Sequence, residues 1–279
     1  MLSRGVRLLT IWLRFAAAAV VAALAIAVLA PALSLWSAPT APIPDLITLR
    51  PGSFAYRAAG EYLRDARPVT APLLAAGQTP GLSVMRQQVT EADYQRCVDA
   101  GGCAPVDGDA SPDRPMVKVS FRDAEAYAAW LSRSTGLRFR LPSDREWAYA
   151  AGSRFSDDAV PEISEVTDPG RRALVLYDKG ADRADGSVKA AQPIGSFGAN
   201  EHGLVDLAGN VWEWTTTCFE RHSLTSATEA ETVTANCGVR VVEGRHRAYI
   251  PDFIREPRAG GCSVGRPPSN LGFRLVRDD

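Results

Sequence analysis

Residues 209–214, with the sequence Gly-Asn-Val-Trp-Glu-Trp, constrain the fold of this chain more than any other segment. In an extended strand successive side chains point to opposite faces, so Trp212 and Trp214 share one face while Glu213 points the other way. Two large aromatic side chains on one face need a hydrophobic core to cover them. The block therefore predicts a strand that anchors the core on one face and presents an anionic site on the other.

The block lies within a longer motif, residues 206–214, Asp-Leu-Ala-Gly-Asn-Val-Trp-Glu-Trp. This motif resembles the signature of the formylglycine-generating enzyme (sulfatase-modifying factor) superfamily. Two further motifs resemble the family's and follow in its order: residues 140–150, Arg-Leu-Pro-Ser-Asp-Arg-Glu-Trp-Ala-Tyr-Ala, and residues 269–274, Ser-Asn-Leu-Gly-Phe-Arg. With residues 89–94, the resemblance extends from about Leu46 to the C-terminus. It implies an α+β, loop-rich fold that elaborates a C-type lectin-like domain.

The length of 279 residues and the spread of the motifs favour one domain over residues 46–279. We expect a signal anchor or signal peptide over residues 1–36 and a proline-rich spacer over residues 37–45 before it. The formal net charge is -1, from 31 Lys and Arg against 32 Asp and Glu. No nucleic acid is therefore expected among the partners.

The N-terminus combines basic residues with a long uncharged segment. Arg4, Arg7 and Arg14 precede an apolar run over residues 15–36. A helix of about 20 apolar residues crosses a bilayer, and basic residues before it favour a cytoplasmic N-terminus. We expect an inner-membrane anchor with the domain in the periplasm. The alternative is a secreted protein whose signal peptide is cleaved near the small residues 30–32.

The five cysteines fit an oxidising compartment. Cys97 and Cys103 flank a glycine-containing turn, and Cys218 and Cys237 bracket a polar stretch, so each pair could close a local loop. Five reduced thiols or a metal site are the alternative, although no Cys-x-x-Cys motif occurs. Cys262 is left over, either as a reactive thiol in an arginine-rich segment or as a structural cysteine.

Three helices are predicted from their N-terminal capping signals. Thr90, Ser120 and Ser143 are each followed three residues later by Asp or Glu, which is the pattern of a capping box. The helices are expected to end at glycines, because glycine readily adopts the left-handed conformation of a helix end. These are residues 101–102, Gly136 and Gly152.

The family resemblance implies a structural calcium ion at the central motif. Carried over by position, the ligands are the side chains of Asp206 and Glu213 and the backbone carbonyls of Gly209 and Val211. All four donors are oxygens, as Ca²⁺ prefers. The alternative is a turn in which Asp206 caps backbone amides and Glu213 faces solvent.

Redox metals are not expected. The enzyme that names the family resembles this chain, but its copper is held by two cysteines with four residues between them. No two cysteines here have that spacing, and the corresponding positions fall near Pro251 and Glu256. Iron is not expected either, because the histidines are scattered and His246 lies between two arginines. Cys262 remains the one catalytic candidate.

The last part of the chain contains a candidate binding groove. Arg258 and Tyr249 belong to a basic and aromatic segment, and Asn270 would line the groove by resemblance to the family. Such a segment can hold an extended peptide or an anionic group. The alternative is a solvated basic face with core aromatics.

These observations predict an exported, membrane-anchored accessory factor that binds or matures an exported protein or peptide partner. Resemblance to one branch of the family suggests a copper nitrite reductase as that partner. The alternative is an oxidase of the formylglycine-generating or non-heme-metal type. It would act on a protein or small thiol through Cys262 or another metal site.

Overall fold

The computed structural model describes residues 41–78, 82–108, 110–157, 190–226, 230–257 and 270–278, all within one compact unit over residues 41–279. The predicted membrane segment over residues 1–36 lies outside the described residues, as do Arg258 and Cys262. Among the residues that are described, no helix is long and apolar enough to cross a membrane.

The described residues contain three α-helices: α1, Glu91–Asp99; α2, Phe121–Thr135; and α3, Asp144–Ala151. Thr90, Ser120 and Ser143 precede them, and each side chain accepts the backbone N–H of the third helical residue. That residue's carboxylate accepts the N–H of the capping residue in return, so all three predicted capping boxes are confirmed. Gly136 ends α2 in the left-handed conformation, at φ 73°.

The strands are short apart from one long hairpin. They are β1, Leu46–Thr48; β2, Gly52–Arg57; β3, Glu61–Arg64; β4, Arg67–Val69; β5, Leu73–Gln78; β6, Ser83–Met85; β7, Arg138–Arg140; β8, Trp212–Thr225; β9, Ala230–Glu243; β10, Ala248–Pro251; β11, Leu271–Gly272; and β12, Val276–Asp278. The strands and helices together confirm the predicted mixed α+β class.

Three sheets organise these strands. The first has the order β1-β6-β12-β7, so the C-terminal strand is inserted between two earlier ones. The second has the order β10-β9-β8-β3-β4, with β11 beside the start of β8. The third is the ribbon β2-β5. The C-terminal motif contains β11, which pairs with the Trp-Glu-Trp strand, and β12 follows the motif in the first sheet.

The start of β8 is buried on both faces. Trp212 and Trp214 lie in the main hydrophobic core, as their alternation predicted. Their indole N–H groups donate to the carbonyls of His246 at 2.9 Å and Val119 at 2.8 Å. Glu213 points the other way but exposes no surface. The alternative in which Glu213 faces solvent is therefore wrong, because other parts of the chain cover that face.

Both predicted disulfides are present. Cys97 in α1 is bonded to Cys103, with the Cα atoms 5.3 Å apart. Cys218 in β8 is bonded to Cys237 in β9, with the Cα atoms 4.5 Å apart. The second bond joins the two strands of the long hairpin at an interruption of their register.

Candidate functional site

Glu213 is the centre of a buried polar cluster that four elements assemble. Arg274, just after β11, donates from Nε to Oε2 at 2.6 Å and from Nη2 to Oε1 at 2.8 Å. Trp147 of α3 donates its indole N–H to Oε2 at 2.8 Å. Gln88 donates from Nε2 to Oε1 at 2.7 Å. Neither Glu213 nor Arg274 exposes any side-chain surface, so the pair is fully desolvated.

Arg274 also binds the backbone of three other residues. Its Nη1 donates to the carbonyls of Met85 and Arg86, both at 3.2 Å, and its Nη2 donates to that of Val205 at 2.9 Å. A buried guanidinium needs acceptors for all its N–H groups. Arg274 therefore links β8, the end of β6 and the loop before Asp206 through one side chain.

Asp206 lies in a turn, where its carboxylate binds backbone amides. Its φ is 61°, in the left-handed region that asparagine and aspartate tolerate better than most residues. Its carboxylate oxygens accept the backbone N–H groups of Gly195 at 2.6 Å and Phe197 at 2.8 Å. Asp206 thus caps backbone amides, as the alternative interpretation of this residue anticipated.

The predicted calcium ligands can be tested against this geometry. A carboxylate has about four lone-pair sites, and Glu213 already accepts four hydrogen bonds. The positive charge of Arg274 beside it would also oppose a second cation. In this arrangement Glu213 does not fit as a calcium ligand. No group of three or more His, Cys, Asp or Glu residues in the described part of the chain is arranged to hold a metal. Calcium binding through Asp206, Gly209 and Val211 stays a prediction.

A second buried ionic cluster adjoins the first and was missed by the sequence analysis. Arg247 donates from Nε to Glu243 Oε1 at 2.6 Å and from Nη2 to both oxygens of Asp144 at 3.3 Å. The Tyr56 hydroxyl donates to the same Asp144 carboxylate. Arg247 lies two residues before Tyr249, in the segment predicted as a basic groove, but its side chain is buried. The local signal that could have found part of the cluster is the spacing of Glu243 and Arg247, opposite charges four residues apart.

The charges of this second cluster do not balance. Two carboxylates face one guanidinium, and the side chains of Arg247, Asp144 and Glu243 expose no surface. Burial raises the pKa of Glu243 well above its usual range, the Arg247 charge opposes the rise, and the neighbouring Asp144 adds to it. Glu243 Oε2 is buried and accepts no hydrogen bond. The raised pKa means that Glu243 keeps its proton to a higher pH than an exposed glutamate does.

The predicted groove residues are placed differently from one another. Tyr249 in β10 is buried with Ala59 and Val241, and its hydroxyl accepts the Gly60 N–H at 2.8 Å. This placement favours the alternative, in which Tyr249 is a core aromatic. Asn270 is half-buried, and its carbonyl accepts the Trp212 N–H at 2.9 Å. The third groove residue, Arg258, is outside the described residues.

The three capped helices, the sheets and the buried Trp-Glu-Trp strand define an α+β domain of the formylglycine-generating-enzyme type. The chain belongs to this family, because the model of the FGE-sulfatase family, the sulfatase-modifying factor enzyme 1-like domain, matches residues 34–279. The family includes both active enzymes and proteins named as inactive.

Two relatives illustrate this range. The formylglycine-generating enzyme of Streptomyces coelicolor is 32% identical over 177 residues, which are 60% of this chain and 54% of that enzyme. The inactive C-alpha-formylglycine-generating enzyme 2 of Bos taurus is 30% identical over 167 residues, which are 56% of this chain and 53% of that protein. The chain thus spans about half the length of these relatives.

A solved structure, that of PvdO from Pseudomonas aeruginosa, has the same fold. It superposes with a TM-score of 0.53 and 22% identity, over 85% of this chain and 95% of that one.

Proposed function

We propose that this chain is an exported accessory factor that binds or matures an exported partner protein, and that it does not oxidise cysteine with copper. The observation that carries this proposal is the use of the cysteines. Two disulfides occupy Cys97, Cys103, Cys218 and Cys237, which leaves Cys262 as the fifth cysteine of the sequence. A copper site built from two cysteine thiolates has only one candidate left.

Two further observations support the proposal. The disulfides fit an oxidising compartment, in agreement with the apolar N-terminal segment that predicts export. The similar bovine protein is named as an inactive formylglycine-generating enzyme, so the fold also occurs without that activity. We place the domain on the periplasmic side of the inner membrane, held there by residues 1–36.

The partner that we propose from the resemblance is an exported copper nitrite reductase. In the native host, deletion of the gene is expected to lower the copper content and activity of that reductase. Supplying the full-length chain should restore both, and the Cys262→Ser variant should restore them equally well. An unchanged reductase in the deletion strain would contradict the assignment of this partner.

The same experiment separates the accessory function from the alternative oxidase. If Cys262→Ser fails to restore the reductase while the protein is exported at the normal level, thiol chemistry at Cys262 is part of the function. Restoration by this variant together with failure of an empty vector supports a binding role.

A further inference from the structure

The outer segment of β9, residues 230–237, has a partner strand on only one side among the described residues. It pairs with β8 along one edge from Ala230 to Asn236. On the other edge β10 pairs only with the later residues Val239 to Val242. Residues 231–238 are all exposed. Within the described ranges, the outer segment therefore leaves this edge of the six-stranded sheet open.

The backbone groups on this open edge can be identified from the hydrogen bonding of β8. The Leu224 carbonyl accepts the Asp65 N–H at 3.0 Å, so Leu224 directs its backbone groups away from β9. Leu224 lies opposite Glu231. Two directly opposed residues of an antiparallel pair either both direct their backbone groups toward each other or both direct them away from each other. Glu231, Val233 and Ala235 therefore direct their N–H and C=O groups to the open side.

The two edges of this sheet differ in how they are protected. Proteins protect exposed sheet edges with short strands, proline and basic residues, because an unprotected edge can pair with a further strand. The opposite edge, β4, has three residues and includes Arg67 and Pro68. The outer segment of β9 contains no proline, lysine or arginine. Its one charged residue, Glu231, has its carboxylate 2.7 Å from Nδ1 of His222.

The Cys218–Cys237 disulfide fixes the hairpin at the base of this segment. A strand that is already held in extended form loses little conformational freedom when another strand pairs with it. The edge is therefore prepared for strand addition before any partner arrives.

The chemistry of the neighbouring side chains indicates the kind of strand. Glu220, His222 and Glu231 lie on the same face of the sheet as Val233, since opposed residues share a face. The Glu220 and Glu231 side chains are 42% and 44% exposed. A strand with basic residues on this face and a β-branched residue opposite Val233 would complement the edge in charge and shape.

We propose that the outer segment of β9 binds an extended, basic segment of the partner protein by strand addition. This inference rests on the proposed accessory function and names the surface that performs it. Backbone hydrogen bonds to Glu231, Val233 and Ala235 supply affinity, and the carboxylates of Glu220 and Glu231 select for basic residues.

The test uses the full-length chain in detergent and a fluorescently labelled short peptide with the pattern Lys-Thr-Val-Thr-Lys, which puts its lysines and its valine on one face. We expect saturable binding and slower hydrogen exchange at the amides of Val233 and Ala235. Val233→Pro removes an edge N–H that β8 does not use, so it should weaken binding about tenfold or more while the disulfide-linked hairpin stays folded. Val233→Ala keeps the N–H and is the matched control, with binding close to that of the parent chain.

Charge selection has its own test. Glu231→Lys should weaken binding of the lysine peptide and strengthen binding of a peptide with glutamate in place of lysine. Equal binding of both peptides to the parent chain would contradict the proposed selectivity.

Three results would overturn the proposal. They are no binding of the lysine peptide, binding that Val233→Pro leaves unchanged, and sedimentation showing that the edge instead pairs two copies of this chain. Failure here is distinguishable from failure of the proposed function. If Val233→Pro still restores the reductase in the native host, the accessory function stands and the assigned surface is wrong.

Discussion

Arg274 carries a positive charge into the core, where it meets Glu213 through two hydrogen bonds of 2.6 and 2.8 Å. Removing one member of a buried pair leaves the other charge without compensation, which costs about 3 to 5 kcal/mol. We therefore expect Arg274→Met to lower the free energy of unfolding by about that amount. Urea unfolding followed by tryptophan fluorescence measures the change.

The control for this substitution is Arg277→Met, which changes the same residue type at a half-buried position of β12. It should cost about 1 kcal/mol or less, because substitutions outside buried networks usually have small effects. The double variant Glu213→Gln with Arg274→Met should recover part of the loss, since neither member of this pair is then left as an uncompensated charge. Equal losses for Arg274→Met and Arg277→Met would disprove the role assigned to Arg274.

Calcium binding can be tested on the same residues. Because Glu213 accepts four hydrogen bonds and Arg274 supplies the positive charge, calcium is not needed to neutralise this carboxylate. If Asp206, Gly209 and Val211 bind the ion without Glu213, the thermal unfolding midpoint should be higher in added CaCl₂ than in excess chelator. An identical midpoint in the two solutions would show that the ligands implied by the family do not bind calcium.

Glu243 predicts a specific dependence of stability on pH. Its pKa is raised in the folded protein, so the folded state holds a proton that the unfolded state loses near pH 4.3, the approximate pKa of free glutamate. This contribution to stability is complete below that pH and is lost as the pH rises through the folded pKa. Glu243→Gln cannot lose the proton, so its unfolding free energy should fall less steeply over this range. Parallel curves for the two proteins would contradict the assignment.

At the scale of elements, the long hairpin depends on its disulfide. The Cys218–Cys237 bond spans 19 residues of sequence and the Cys97–Cys103 bond spans 6. The entropy removed from the unfolded chain grows with loop length, which gives about 3 kcal/mol for the first and about 2 for the second. Replacing both cysteines of the longer loop by serine should therefore destabilise the domain more than the same change in the shorter loop.

Calorimetry of the two serine double variants measures this difference. Hydrogen exchange adds a local measurement, because the outer segment of β9 should lose protection only when the Cys218–Cys237 bond is absent. A larger effect from the shorter loop would contradict the entropic account.

The helices could be predicted from the sequence because their signals are local. A capping box needs only four consecutive residues, so Ser120 and Asp123 determine the start of α2 without help from the rest of the chain. The disulfides were predictable for a similar reason, since both join residues close in sequence. The sheet pairings are different, because β3 lies parallel to β8 with Tyr62 opposite His222. No local pattern encodes a pairing across that separation.

The candidate site was predictable in location but not in chemistry. The alternation of Trp212, Glu213 and Trp214 correctly predicted which face of β8 each side chain occupies. The two tryptophans lie in the core. The chemistry of the face that carries Glu213 depends on Arg274, which lies 61 residues further along the chain. The cluster of Arg247, Asp144 and Glu243 was missed for the same reason, since its members come from separate elements.

At the scale of the whole molecule, the domain has the architecture of its family around two buried ionic clusters, while four of the five cysteines form disulfides. The stability of such a fold comes mainly from hydrophobic packing and from hydrogen-bonded buried polar groups. Neither of these requires a redox metal. The family's architecture does not by itself require a redox metal, and we propose that this chain uses the architecture without oxidising cysteine.

The most direct test of this account is the metal content of the full-length chain, purified from the membrane of its native host, with an assay for oxidation of a peptide cysteine on the same sample. We expect copper and iron far below one ion per chain and no oxidation of the peptide, with or without added Cu(I). Copper or iron near one ion per chain, together with oxidation of the peptide cysteine, would contradict the account.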